Sequence, residues 1–226
     1  RWAATLKFVL NFYYKERTKM ENNLLLFTEQ IGIASAALSG FLFAVRQNCD
    51  YLGIFLSAFL TALGGGILRD VLVDRPIYSF THYAPVSIVI AVMVCAAIFG
   101  AQTKRENLEK KFIFIFTDAI DVVSFSIVGA MIACECEFNF YGVILIAFLN
   151  GVGGGILRDV LLNEVPWLLK TGLYGTISMS VGLVYFLLNL CGFTGVFAVM
   201  TLFCGGVIFR LIAYYKSWHL PNFNSI

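Results

Sequence analysis

Apolar residues gather in seven long runs along this chain, at 24–45, 51–73, 83–101, 112–133, 140–162, 171–190 and 193–213. Each run is close to the ~20 residues that a helix rising about 1.5 Å per residue needs to cross about 30 Å of hydrocarbon. The links between them are short, and the most charged is Gln102 to Lys111 (Lys104, Arg105, Glu106, Glu109, Lys110, Lys111). Pro76, Pro85 and Pro166 fall near the ends of runs, where a missing N–H costs little. No low-complexity linker divides the chain. The pattern predicts an all-α membrane protein, seven transmembrane helices in one bundle.

Composition agrees. Only 13% of residues are charged, 59% are hydrophobic and the mean hydropathy is +0.82. So few charges do not make a water-facing surface, and lipid must be the solvent over much of it. A formal charge of +2 is too small to suggest nucleic acid as a partner. Of Cys49, Cys95, Cys134, Cys136, Cys191 and Cys204, four sit in or at the ends of apolar runs and read as small hydrophobes. Cys134-Glu135-Cys136-Glu137 is a weak metal signal without a second ligand pair. With His82 and His219 the only histidines, there is no metal constellation and no nucleophile–base pattern, so neither an enzyme nor a cofactor is expected. Residues 1–19, basic and aromatic (Lys7, Lys15, Arg17, Lys19), read as an extension outside the core, with Met20 suited to be the true start.

If the spans alternate, one side holds Arg46, Lys104, Arg105, Lys110, Lys111, Lys170 and Lys216, and the other little beyond Arg75 once residues 1–19 are set aside. Basic links stay cytoplasmic. The expected topology in the cell (inner) membrane is therefore N-terminus outside and C-terminus inside, with Gln102 to Lys111 cytoplasmic.

The chain also repeats itself. Gly64-Gly65-Gly66-Ile67-Leu68-Arg69-Asp70-Val71 returns 89 residues later as Gly153-Gly154-Gly155-Ile156-Leu157-Arg158-Asp159-Val160, and 53–72 matches 142–161 at 14 of 20 positions. The register runs backwards without a gap: Phe27-Thr28-Glu29 faces Phe116-Thr117-Asp118, Ser35 faces Ser124, and Gly40 faces Gly129. This implies a first three-helix unit at 22–101, a second at 112–190, and a seventh helix at 193–213 outside the duplication. Three is odd, so the second copy enters from the opposite side. Such inverted repeats place a functional site near the midplane, between the copies.

Three consecutive glycines in a lipid-spanning helix are unfavourable, each by about 1 kcal/mol relative to alanine. They serve either close helix packing or a hinge that turns backbone groups toward a wet pore. Arg69-Asp70 and Arg158-Asp159 follow each run, and charges at this depth pair or face water. They read as structural ion pairs or as gate charges; Arg69 with Asp159 and Arg158 with Asp70 is the symmetric cross-repeat possibility. Spans 1 and 4 carry hydroxyls on one face (Thr28, Ser35, Ser39; Thr117, Ser124), with Glu29, Asp118 and Asp121 as acidic mouths. Hydroxyls partly replace a hydration shell and carboxylates concentrate cations, although a helical Ser or Thr also bonds back to its own carbonyls. Asp118 would either line an entrance or brace helices, for instance through a lysine of the 102–111 link.

The doubled Gly-Gly-Gly-x-x-Arg-Asp on seven spans resembles the prokaryotic branch of the trimeric intracellular cation channel (TRIC) family, over about residues 22–215. The resemblance implies a homotrimer among membrane lipids in which each protomer has its own pore, permeable to potassium, sodium and other monovalent cations. It also implies spans 2 and 5 kinked at the glycines and an extracytoplasmic N-terminus. Animal members carry Lys-Glu-Val after the first glycine region. Here the stretch is Arg69-Asp70-Val71, so lysine-based gating does not transfer. Some bacterial relatives are labelled glycine transporters. A cation channel, a secondary transporter of a small amino acid such as glycine, and a scaffold without transport therefore all remain open.

Overall fold

The computed structural model describes residues 2–100, 112–170 and 173–218. The described residues form nine helices: α1 (Trp2–Arg46), α2 (Tyr51–Leu72), α3 (Tyr78–Thr81), α4 (Tyr83–Gly100), α5 (Phe112–Glu135), α6 (Phe140–Leu161), α7 (Trp167–Lys170), α8 (Tyr174–Leu190) and α9 (Val196–Tyr215). Five are long and apolar enough to cross a membrane: α1 from Asn23 onward, α2, α5, α6 and α9. α4 and α8 are shorter apolar helices. The seven apolar runs thus coincide with helices to within a few residues. The one-turn helices α3 and α7 lie in links expected to be plain loops. The backbone of residues 2–19, read as an extension, continues α1 without interruption. The charged link Gln102 to Lys111 lies outside the described residues.

Local chemistry fixes where helices begin and end, and it does so twice over. Asp50 caps α2 by accepting from Gly53 N–H at 2.8 Å, and Asn139 caps α6 by accepting from Gly142 N–H at 3.0 Å. Such caps satisfy N–H groups that have no partner within the helix. Of the five non-glycine residues with positive φ among the described residues, four close helices of the duplicated stretch: Asn48 after α1, Asp74 after α2, Glu137 after α5 and Asn163 after α6. These caps and closures recur at the same 89-residue spacing as the sequence motif. Pro85 sits in the first turn of α4, where proline is tolerated.

α5 is the central helix, and Ala119, Val122, Val123, Ile127, Val128, Ala130 and Ala133 on it are fully buried. It packs against α1, α6, α8 and α9, while α2 packs against α6 and α1 against α2 and α4. Large apolar side chains such as Leu52, Ile90, Ile98, Leu145, Leu187, Phe197 and Ile208 face outward, as expected where lipid is the solvent.

Candidate functional site

The glycine runs are where α2 and α6 meet. A Cβ on Gly65 would strike the carbonyl oxygen of Asn150, and one on Gly154 the carbonyl oxygen of Thr61. Gly64 lies against Leu157 and the Gly154 Cα, and Gly153 against Leu68 and the Gly65 Cα. Positions rising along α2 meet positions falling along α6, so the two helices cross antiparallel. Both runs lie within uninterrupted helices, and close backbone approach is the role they visibly perform. Gly66 and Gly155 stand apart: their nearest neighbours are the Arg69 and Arg158 Nη2 atoms, both at 3.8 Å.

Beyond the crossing, each helix carries its Arg-Asp pair outward, toward opposite ends. Arg69 is buried and donates from Nε to Asp70 Oδ1 at 2.9 Å and from Nη2 to Glu29 Oε1 at 2.9 Å. Asp70 Oδ2 accepts from the Tyr78 N–H at 2.9 Å, which seats α3 under the cluster. A cavity of about 10 Å³ lined by Glu29, Gly66, Arg69, Asp70, Tyr78 and Ser79 adjoins it, room for about one water. Burial, and then the Glu29 carboxylate, push the Tyr78 phenol above its ordinary range, so it stays neutral.

The second cluster is built differently. Arg158 bonds Asp159 from Nε and Nη2, both at 2.8 Å, and its guanidinium lies 4.1 Å from the centre of the Phe43 ring. Asp118, the counterpart of Glu29, is taken by other partners: Tyr174 OH donates to Oδ1 at 3.0 Å, and Arg210 Nη2 to Oδ2 at 3.4 Å. Arg210 in turn stacks over the Tyr174 ring at 4.5 Å. Asp121 is buried one turn along α5 and has no hydrogen bond among the described residues; Asp118 and Arg158 lie within electrostatic reach.

The cross-repeat pairing of Arg69 with Asp159 and of Arg158 with Asp70 does not occur. The antiparallel crossing sends the two pairs to opposite ends, and each arginine folds onto the aspartate beside it. The lysines of the 102–111 link, expected as a possible brace of Asp118, lie outside the described residues; among those described, Arg210 of α9 braces it. The hydroxyl stripe divides. Thr28, Ser35 and Thr117 donate to carbonyls of their own helices, whereas the buried Ser39 and Ser124 Oγ atoms have no partner among the described residues. Glu29, Asp118 and Asp121 are all buried, so none is an open mouth in this arrangement of the chain. Sequence reasoning missed Arg210, Tyr174 and Asn150. The signal for Arg210 was present: a lone arginine within an apolar span demands a partner.

The Arg210–Asp118 link yields a test. Arg210→Met should destabilise by about 3 kcal/mol, since it removes the counter-charge of a buried carboxylate that keeps only the Tyr174 hydroxyl. Adding Asp118→Asn should recover part of that loss. Equal, additive losses on thermal melting in detergent would show that the two do not act as a pair.

Comparison with known proteins matches this geometry. The family model described as glycine transporter matches residues 26–101 and again 115–190, with the same 89-residue offset. The UPF0126 membrane protein YvgT of Bacillus subtilis is 32% identical, over 85% of this chain and 93% of its own. A TRIC cation channel solved to explain conductance superposes with a TM-score of 0.77 at 30% identity, covering 87% of this chain and 95% of that one. The trimeric intracellular cation channel orthologue from Rhodobacter sphaeroides shares the fold, with a TM-score of 0.76 at 23% identity over 85% and 97% of the two chains.

Proposed function

The chain belongs to the family that holds the TRIC cation channels and carries the description glycine transporter, and from that premise we propose that it is a potassium-permeable monovalent cation channel. The observation that carries the reading is the pair of buried charge clusters, Glu29–Arg69–Asp70 and Asp118–Arg210 with Arg158–Asp159. They flank the antiparallel crossing of α2 and α6 at opposite ends. Gly64 faces Gly154 and Gly65 faces Gly153, so at about 1.5 Å per residue the two arginines are roughly 14 Å apart along the crossing helices. Buried charged and hydroxyl groups inside an otherwise apolar bundle support an ion pathway. The glycine crossing, a hinge or a fixed contact, sits between them.

The antiparallel crossing, the matching caps and the doubled family match support two inverted three-helix units, 22–101 and 112–190, with α9 added outside them. The trimeric relative and the outward apolar faces support a homotrimer in which every protomer holds its own pore. The charge asymmetry of the links supports an outside N-terminus and a cytoplasmic C-terminus.

Purified protein in a planar bilayer should give unitary current steps in KCl, and in NaCl at a different amplitude. Glycine uptake into proteoliposomes without current steps would overturn the channel and favour a secondary transporter. That second reading has one observation of its own. A cavity of about 200 Å³, lined by Phe43, Arg46, Gln47, Phe114, Asp159, Glu164 and Val165, offers both signs of charge to a small zwitterion. Topology is tested separately: Asn107→Cys, in a background without native cysteines, should resist impermeant thiol reagents added to intact cells. Ready labelling from outside would reverse the orientation.

A further inference from the structure

The two halves differ at one buried position in a way that duplication does not explain. Asp121 corresponds to Gly32 in the first half. It is 5% exposed. Every other carboxylate of the two clusters has a hydrogen-bonding partner: Glu29 and Asp70 share Arg69, Asp159 has Arg158, and Asp118 has Tyr174 and Arg210. Asp121 forms no hydrogen bond or ion pair among the described residues. In the second cluster Arg158 is hydrogen-bonded to Asp159 and Arg210 to Asp118. Neither guanidinium bonds Asp121, the one carboxylate of the three with no hydrogen-bonding partner among the described residues.

A lone carboxylate inside a lipid-spanning bundle does not remain charged without compensation. A second, independent observation points to what supplies it. The hydroxyl of Ser124, one turn further along the same face of α5, is fully buried and its Oγ has no partner. An unsatisfied buried hydroxyl is costly. An Oγ lone pair and a carboxylate on one helical face are oxygen ligands of the kind a hard monovalent cation takes. Gly32 closes the other side with backbone: a Cβ there would lie 3.2 Å from the Ser124 Cβ and 3.1 Å from the Phe125 ring. The position equivalent to Asp121 is thus kept without a side chain.

We propose that Asp121, with Ser124, is a site for one unit of positive charge, present in the second half of the bundle alone, filled by a monovalent metal cation or, on acidification, by a proton. The proposal deepens the cation-channel reading and rests on it for the route by which the cation arrives. The groups within electrostatic reach of Asp121 are Asp118 on its own helix, Arg158 on α6 and Tyr174 on α8. On α1, Glu29 is held by Arg69. Each of these has a hydrogen-bonding partner of its own, which leaves Asp121 as the group that exchanges cation for proton.

The test uses full-length protein in detergent, melted in choline chloride, NaCl or KCl at pH 8 and pH 5. At pH 8 the wild type should melt lowest in choline. It should rise by roughly 3–6 °C once Na+ or K+ exceeds its Kd about tenfold. At pH 5 the salts should no longer differ. Asp121→Asn should melt alike under all six conditions, and Asp121→Glu should keep the cation response even where Asp121→Asn folds poorly. Ser124→Ala should weaken the cation response and leave the acid response intact. A wild type stabilised by acid but indifferent to Na+ and K+ identifies the proton as the occupant. A wild type indifferent to both, or an Asp121→Asn variant that responds as the wild type does, overturns the proposal. Because melting does not depend on conduction, a protein that passes no current but shows the Asp121-dependent response loses the channel reading and keeps the site.

Discussion

Gly65→Leu is expected to prevent the bundle from forming, and even Gly65→Ala should melt far below the wild type. The first atom of any side chain at this position meets a main-chain oxygen, that of Asn150 on α6. A flexible side chain would swing aside, but a carbonyl in an unbroken helix moves only if the helix moves. Gly154 meets the Thr61 carbonyl in the same way. Overpacking normally destabilises by about 1–3 kcal/mol; with backbone on both sides the loss here should be on the order of 3 kcal/mol or more. The neighbouring glycines grade the effect. At Gly64 and Gly153 the added atom meets leucine methyl groups at 2.9 and 3.0 Å, which shift at smaller cost, so alanine there should be intermediate. At Gly66 and Gly155 there is space, so alanine should be neutral or stabilise by up to about 1 kcal/mol through helix propensity. Thermal melting of the six alanine variants checks the order. If Gly65→Ala and Gly66→Ala melt together, the runs are not a packing contact.

That gradation marks the limit of what the sequence shows. The periodicity of apolar residues located the helices because lipid forces each span to satisfy its own backbone, leaving length and hydropathy as sufficient signals. The internal match located the glycines and the Arg-Asp pairs, because Gly-Gly-Gly-x-x-Arg-Asp is not something apolar helices share by chance. What the pattern could not give was direction across the interface. The three glycines of a run look alike in sequence, yet one faces carbonyl, one leucine and one open space. Symmetry alone allows salt bridges across the repeats, but antiparallel helices carry equivalent residues apart, and each arginine bonds the aspartate beside it. The repeat also hid its own exception: α9 has no counterpart, so nothing in the duplication announced that Arg210 would take the partner of Asp118. A rule that every intramembrane charge needs a named partner would have found it.

Arg69→Ala is expected to be the most damaging single change among the charged residues. One guanidinium serves two buried carboxylates, with Nε and Nη2 on Asp70 and Nη2 also on Glu29. Removing it leaves both without a counter-charge, and breaking a buried pair in this way costs about 3–5 kcal/mol. Arg69→Lys should rescue little, because an ammonium cannot reproduce the fork that spans two carboxylates. Glu29→Gln alone should be mild, since Arg69 retains Asp70. Combined with Arg69→Ala it should restore part of the lost stability, because one of the two stranded charges is gone. Asp70→Ala should be worse than Glu29→Gln, since it also strands the Tyr78 N–H that holds α3 in place. Asp159→Ala, at the opposite end of the crossing, should simply add to Arg69→Ala. Melting of these single and double variants decides between the geometries. Rescue by Glu29→Gln with additivity for Asp159→Ala supports the local triad, whereas rescue by Asp159→Ala would put the pair across the repeats after all.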